Sequence, residues 1–143
     1  MSWLDTMKIN EDWDYTYLSL GAGVQSSALL VLSCIDDRVP KVDVAIFSDT
    51  GDEPQYVLDY LDILKEYAEP FGIKVVTAQK GVLSEEALAR DKFVPIPLYT
   101  LHADGTKGVL RRQCTREYKI TPINKKVREL LGYQPYKNVK HKV

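Results

Sequence analysis

Apolar positions along this chain repeat with two periods, and the alternation between them predicts the fold. Tyr15 to Leu20 is a short β-rich run that ends at the turn SLGAGVQSS. From Ser26 to about Ile35 the apolar residues Ala28, Leu29, Leu30, Val31 and Leu32 are nearly continuous. That run is too long and too leucine-rich for a strand, so it predicts a helix buried on most sides. Val42 to Phe47 reads as a second strand. Pro54 suits the first turn of a second helix, in which Val57, Leu61, Leu64 and Ala68 follow i, i+4, i+7, i+11 and define one apolar face. Gly72 closes that helix, and Ile73 to Thr77 is the third strand. This βαβαβ order predicts an α/β fold of three layers, α/β/α, around a mostly parallel sheet with right-handed crossovers. In such a fold ligands sit in the crevice at the carboxyl ends of the strands.

Beyond Gly81 the periodicity weakens. Ser84 is placed to cap a short helix through Ala89, and residues 91–110, with Pro95, Pro97, Gly105 and Gly108, read as a long flexible loop. Order returns near the end of the chain, where Thr121 is a candidate cap, Pro122 fits the first helical position, and Ile123, Val127, Leu130 and Leu131 make an apolar stripe. Residues 1–14 form an N-terminal extension, and Tyr133 to Val143 is a polar, basic tail expected to be loosely held. The reading is of a single domain across 1–143.

Composition narrows the class. A chain of 143 residues, 45% apolar and 27% charged, is long enough to bury a core without disulfide or metal staples. Its two cysteines, Cys34 and Cys114, make neither a disulfide framework nor a thiolate-only zinc site, which fits a reducing, cytoplasmic compartment. No stretch approaches the roughly 18 apolar residues of a membrane span, so no membrane partner is expected. The net charge of -1 hides an asymmetry, because residues 107–143 hold 11 Lys/Arg against 2 Asp/Glu. The basic third therefore expects an anion: a nucleotide phosphate, a nucleic-acid backbone, or the acidic remainder of the same chain.

Three segments carry candidate chemistry. In SLGAGVQSS, glycines allow the backbone to turn sharply and approach a ligand, and N–H groups at a helix start favour phosphate or sulfate. No lysine follows the glycines, so this is not a Walker-type loop, and Ser26 breaks the dinucleotide spacing. A tight βα turn capped by serines remains the other reading. Asp49, Thr50 and Gly51 end the second strand beside the same crevice, either as ligand contacts or as an ordinary turn. Arg111, Arg112, Arg116 and Lys119 bracket Cys114 and would lower its thiol pKa while binding an anion; the alternative is a small, partly buried cysteine without chemistry. Cys34 falls in the apolar helix and reads as core, and His102 has no partner at ligand or triad spacing.

Together, SLGAGVQSS, SDTG with Glu53-Pro54, and QCTREYKITPI resemble the phosphoadenosine phosphosulfate (PAPS) reductase family of the adenine-nucleotide α-hydrolase-like superfamily. The resemblance runs over roughly residues 15–132. It implies a Rossmann-like fold of the adenine-nucleotide α-hydrolase type and a sulfonucleotide or ATP held or cleaved at its α-phosphate. Ser19, Gly21, Gly23, Gln25, Ser26 and Ser27 would then cradle the phosphosulfate or pyrophosphate. Asp49, Thr50 and Gly51 would meet the nucleoside or, with ATP, a magnesium ion. Arg111, Arg112 and Arg116 would bind phosphate, and Cys114 and Lys119 are the candidate catalytic residues. Iron–sulfur members use adjacent cysteines plus a second pair, whereas Gln113 precedes Cys114 here and no cysteine follows it, so no cluster is expected. Other functions stay open: an ATP pyrophosphatase-type modifying enzyme, or a non-catalytic accessory module whose basic third meets nucleic acid or a protein.

Overall fold

The structure, a computed structural model, describes residues 13–89, 99–109, 115–134 and 137–143. Strands β1 (Tyr17–Leu20), β2 (Val44–Asp49) and β3 (Lys74–Gln79) form a parallel sheet in the order β1-β2-β3. The connections are helix α1 (Val24–Ile35), and helix α2 (Gln55–Ala68) followed by a 3₁₀ turn at Glu69–Phe71. Gly72, left-handed at φ 78°, turns the chain into β3.

Alternation along the strands divides the core in two. Leu20, Ala45 and Phe47 point to one face and pack with Leu30 of α1 and with Leu61, Leu64 and Ala68 of α2. Val44, Ile46 and Ala78 point to the other face and pack with Ile123 and Val127 of a later helix, α4 (Thr121–Leu130). β2 is buried at Val44–Ser48, as expected of a central parallel strand covered on both faces. The expectation of a mixed α/β fold with helices on both sides of a parallel sheet is met.

Several local expectations are corrected. α1 is not buried on most sides: only Ser27, Leu30 and Ser33 are buried, while Leu29, Leu32 and Ile35 are exposed. The reason is its place over β1, an edge strand, which leaves its outer flank without a neighbour among the described residues. Buried Ser33 is satisfied, because its hydroxyl donates to Pro40 O (2.9 Å) and accepts the N–H of Val42 (3.0 Å), tying the α1–β2 connection to the helix. Within the expected long loop, β4 (Tyr99–Leu101) and β5 (Lys107–Val109) pair as an antiparallel hairpin. His102 closes its turn by bonding to Thr106 and Gly105 through the backbone.

Thr121 is not a cap. It has helical angles (φ -62°, ψ -46°) and continues a π-helical turn, Arg116–Ile120, directly into α4. Nor is the tail loose. The Arg128 guanidinium donates to the carbonyls of Lys137 and Gln134, and the Lys140 N–H bonds to Tyr133 Oη (3.0 Å). Lys142 O accepts the N–H groups of Asp14 and Tyr15. These clasps are hydrogen bonds to main-chain groups and leave no trace in apolar periodicity. No helix among the described residues is long and apolar enough to cross a membrane.

Candidate functional site

At the carboxyl edge of the sheet the three strands end at different heights. β1 stops at Leu20, in register with Phe47, whereas β2 and β3 run on to pair Asp49 with Gln79. The SLGAGVQSS turn therefore starts two residues below the tip of β2, and the Asp49–Gly51 turn stands beside it. The candidate residues of these two motifs are brought to one edge. Ser19 is an exposed residue within β1 rather than part of the turn itself.

The turn has an unexpected distribution of strain. Its left-handed residue is Ala22 (φ 52°), a conformation that costs a non-glycine residue about 1–2 kcal/mol. Gly23 is extended at φ -88° and ψ 168°, and Gly21 also lacks a positive φ. A Cβ on Gly21 would come no nearer than 3.8 Å to Ser26 Oγ, and one on Gly23 no nearer than 4.0 Å to Gln25 Oε1. Neither the turn nor the packing requires these two glycines. They leave open space above the first turn of α1.

That first turn is short of acceptors. Gly23 caps α1 without a side-chain bond, and the N–H groups of Val24, Gln25 and Ser26 have no partner among the described residues. The Ser26 hydroxyl is used within the loop, donating to Gly23 O and accepting from Gly21 N, both at 3.2 Å. Ser27 is only 5% exposed, and its Oγ is buried with no hydrogen-bond partner. A buried hydroxyl left so costs about 1–3 kcal/mol. Gln25 is exposed at the mouth of the loop.

In the neighbouring turn, Asp49 Oδ1 accepts the Gly51 N–H at 2.7 Å, and Thr50 Oγ1 donates to Glu53 Oε1 at 3.0 Å. Gly51 has φ 79°, and a Cβ there would lie 2.8 Å from Val82 Cα. It is a glycine the fold itself demands. Asp52 then caps a short helix, α3 (Leu83–Leu88), accepting both the N–H and the hydroxyl of Ser84 at 2.6 Å. Asp49 Oδ1 and Thr50 Oγ1 are thus used within their own turn, and no group of three His, Cys, Asp or Glu able to hold a metal is found among the described residues.

The third motif is anchored to this edge by Tyr118, which is 2% exposed. Ser48 Oγ donates to Tyr118 O at 2.6 Å, and Tyr118 Oη donates to Glu86 Oε2 at 2.6 Å. Burial, reinforced by the Glu86 carboxylate, pushes the Tyr118 phenol up to about 12. Lys80, just beyond β3, lies 4.8 Å from the centre of the same ring and pairs with Glu117 at 2.6 Å. That bond to Lys80 holds the Glu117 carboxyl below its ordinary value. The π-helical turn consequently carries Arg116 and Lys119, both exposed, at the strand ends. Arg111, Arg112 and Cys114 lie outside the described residues. Cys34, half-buried against the core, has its thiol pKa raised by burial and is a packing residue.

Sequence reasoning missed Tyr118, Glu86, Lys80 and Asp52. The available signal was Tyr118 itself, the one aromatic ring within REYKI and hence the residue of that run with most to gain from burial. No family model, curated protein or solved structure matches the chain.

Proposed function

We propose that this chain binds an adenine nucleotide or sulfonucleotide, with its phosphate or sulfate group seated over Gly21 and Gly23 at the start of α1. The observation that carries this reading is the pair of glycines that neither backbone angle nor packing calls for, facing unpaired N–H groups at Val24, Gln25 and Ser26. A phosphate oxygen would accept those N–H groups and meet the positive end of the helix dipole. The PAPS reductase-like motifs favour an adenine sulfonucleotide or ATP as the ligand. Arg116 and Lys119, held at the same edge through Tyr118, would supply positive charge toward the α-phosphate or sulfate. The reading rests on the loop and not on a cation.

Calorimetric titration with ATP, AMP, adenosine phosphosulfate and PAPS, each with and without magnesium, tests it. Saturable 1:1 binding that is stronger for phosphorylated ligands than for adenosine, and lost in Gly23→Val, is expected. Equal affinity for adenosine and for its phosphorylated forms would remove the phosphate site from the reading.

A further inference from the structure

The structure narrows what the basic third of the chain meets. Between residues 115 and 143 stand eight Lys/Arg and only two acids, Glu117 and Glu129. If this charge served to neutralise the acidic remainder, ion pairs would cross between the two parts. Among the described residues the ion pairs are Arg38–Asp36, Lys65–Asp62, Lys80–Glu117 and Lys126–Glu129. Lys142 apart, none joins a cation after residue 107 to an acid before it. Lys125, Lys137 and Lys140 are exposed and have no acidic partner there.

Nor can these lysines serve the nucleotide site. The tail meets the chain at Asp14 and Tyr15, before β1 begins, whereas the glycine turn follows the end of β1. α4 packs on the opposite sheet face from α1. The clasped tail thus meets the sheet at the edge where β1 begins, the end opposite the glycine turn.

The local shape indicates what kind of anion fits. A groove of about 710 Å³ runs along α4, lined by Asn124, Lys125, Arg128, Tyr133 and Gln134 and by one acid, Glu129, whose carboxylate is paired with Lys126. The guanidinium of Arg128 is spent on the carbonyls of Lys137 and Gln134, and so fastens the tail alongside this groove. Lys137 and Lys140 follow without an intervening acid. At about 3.3 Å per extended residue the pair can reach over at most roughly 10 Å, the length of about three successive charges of one strand at about 3.4 Å each. Amide side chains at Asn124 and Gln134 and the ring of Tyr133 complement a sugar–phosphate chain and its bases better than they complement a carboxylate-rich peptide.

We infer that the outer face of α4 and the clasped tail form a binding surface for a nucleic-acid strand, separate from the nucleotide site and independent of it. The test uses the full chain and fluorescein-labelled 20-nucleotide single-stranded RNA and DNA of mixed sequence, followed by anisotropy across a salt series. Binding should weaken with salt at a log–log slope near -2, the value for about three phosphates on a single strand. Lys125→Gln/Lys137→Gln/Lys140→Gln should lose at least tenfold in affinity and most of that slope, while the Lys→Arg triple should keep both. Circular dichroism establishes that each variant is folded, and a Lys41→Gln/Lys65→Gln control, away from the surface, should bind as the parent does. The inference is overturned by absence of oligonucleotide binding at 50 mM salt, by unchanged affinity in the folded Lys→Gln triple, or by equal displacement with a polyglutamate peptide at matched charge. The last outcome would assign the surface to an acidic protein. None of these results depends on whether ATP binds, and ATP affinity should be unchanged in the triple variant.

Discussion

Two glycines of successive strand-to-helix turns, Gly23 and Gly51, separate ligand space from backbone necessity, and substitution at each should give opposite results. At Gly51 an alanine must adopt φ 79°, costing about 1–2 kcal/mol. Its Cβ would also lie 2.8 Å from Val82 Cα, and relieving such an overlap costs about 1–3 kcal/mol more. The loss of unfolded-state freedom returns only about 0.4–1 kcal/mol. Gly51→Ala should therefore destabilise by roughly 2–4 kcal/mol, lowering Tm by roughly 8–15 °C in a chain of this size. At Gly23 the backbone suits any residue and the Cβ meets open space. Gly23→Ala gains the same 0.4–1 kcal/mol or so from the unfolded state. It gives up about as much because alanine is the poorer N-cap. The two terms cancel to within about 0.5 kcal/mol, so Tm should move by no more than about 2 °C. Affinity behaves the other way. Gly23→Val should weaken binding of ATP or adenosine phosphosulfate by more than tenfold, or above about 1.4 kcal/mol, since the side chain fills the space assigned to the phosphate. Thermal denaturation by circular dichroism and calorimetric titration read the two quantities separately. A folded Gly23→Val protein with unchanged nucleotide affinity would refute the phosphate cradle, and a Gly51→Ala protein as stable as the parent would refute the geometry of the second turn.

Ser27→Ala removes a buried hydroxyl that has no partner and substitutes a better helix former, so the ligand-free protein should gain on the order of 1 kcal/mol; a loss of stability in urea titration would mean that the hydroxyl is satisfied. Asp52→Ala removes both bonds to Ser84 and should cost about 1 kcal/mol, with faster amide hydrogen exchange confined to α3 and its flanks; uniform acceleration over the whole chain would contradict a local cap. Tyr118 is neutral in the fold, and its pKa rises from 10.0 to about 12 on folding, so its contribution is complete below pH 10 and is lost as the pH climbs toward 12. That loss should be on the order of 2 kcal/mol in the parent and absent in Tyr118→Phe, which instead lacks the Glu86 bond at every pH; parallel pH profiles for the two proteins would remove Tyr118 as the cause.

The elements at this chain's centre were legible from sequence because local physics decides them. The i, i+4, i+7, i+11 spacing in α2 leaves one side to bury, and Leu61, Leu64 and Ala68 are buried there. A β-rich run on each side of a helix leaves parallel pairing with a crossover as the economical arrangement, and β1, β2 and β3 pair in that way. The candidate site was legible to the same depth: a glycine turn and an Asp-Thr-Gly turn that follow neighbouring strands must share one edge of the sheet. Which glycines serve the turn and which leave space was not, because the left-handed angle fell on Ala22 and the backbone crowding on Gly51.

Tertiary structure alone decided the rest. The continuous apolar run of α1 has no period to show its buried side, and that choice was made by the edge position of β1, leaving Leu29, Leu32 and Ile35 exposed. Tyr118 finds Ser48 across 70 residues of chain, and Glu86 across 32, which no local window connects. The tail, without an apolar period, is held by carbonyls that accept from Arg128 and by the meeting of Lys142 with Asp14, 128 residues away. Periodicity records where side chains leave water along one element; hydrogen bonds between distant segments form only after those elements have packed, so their partners are set by the assembled fold.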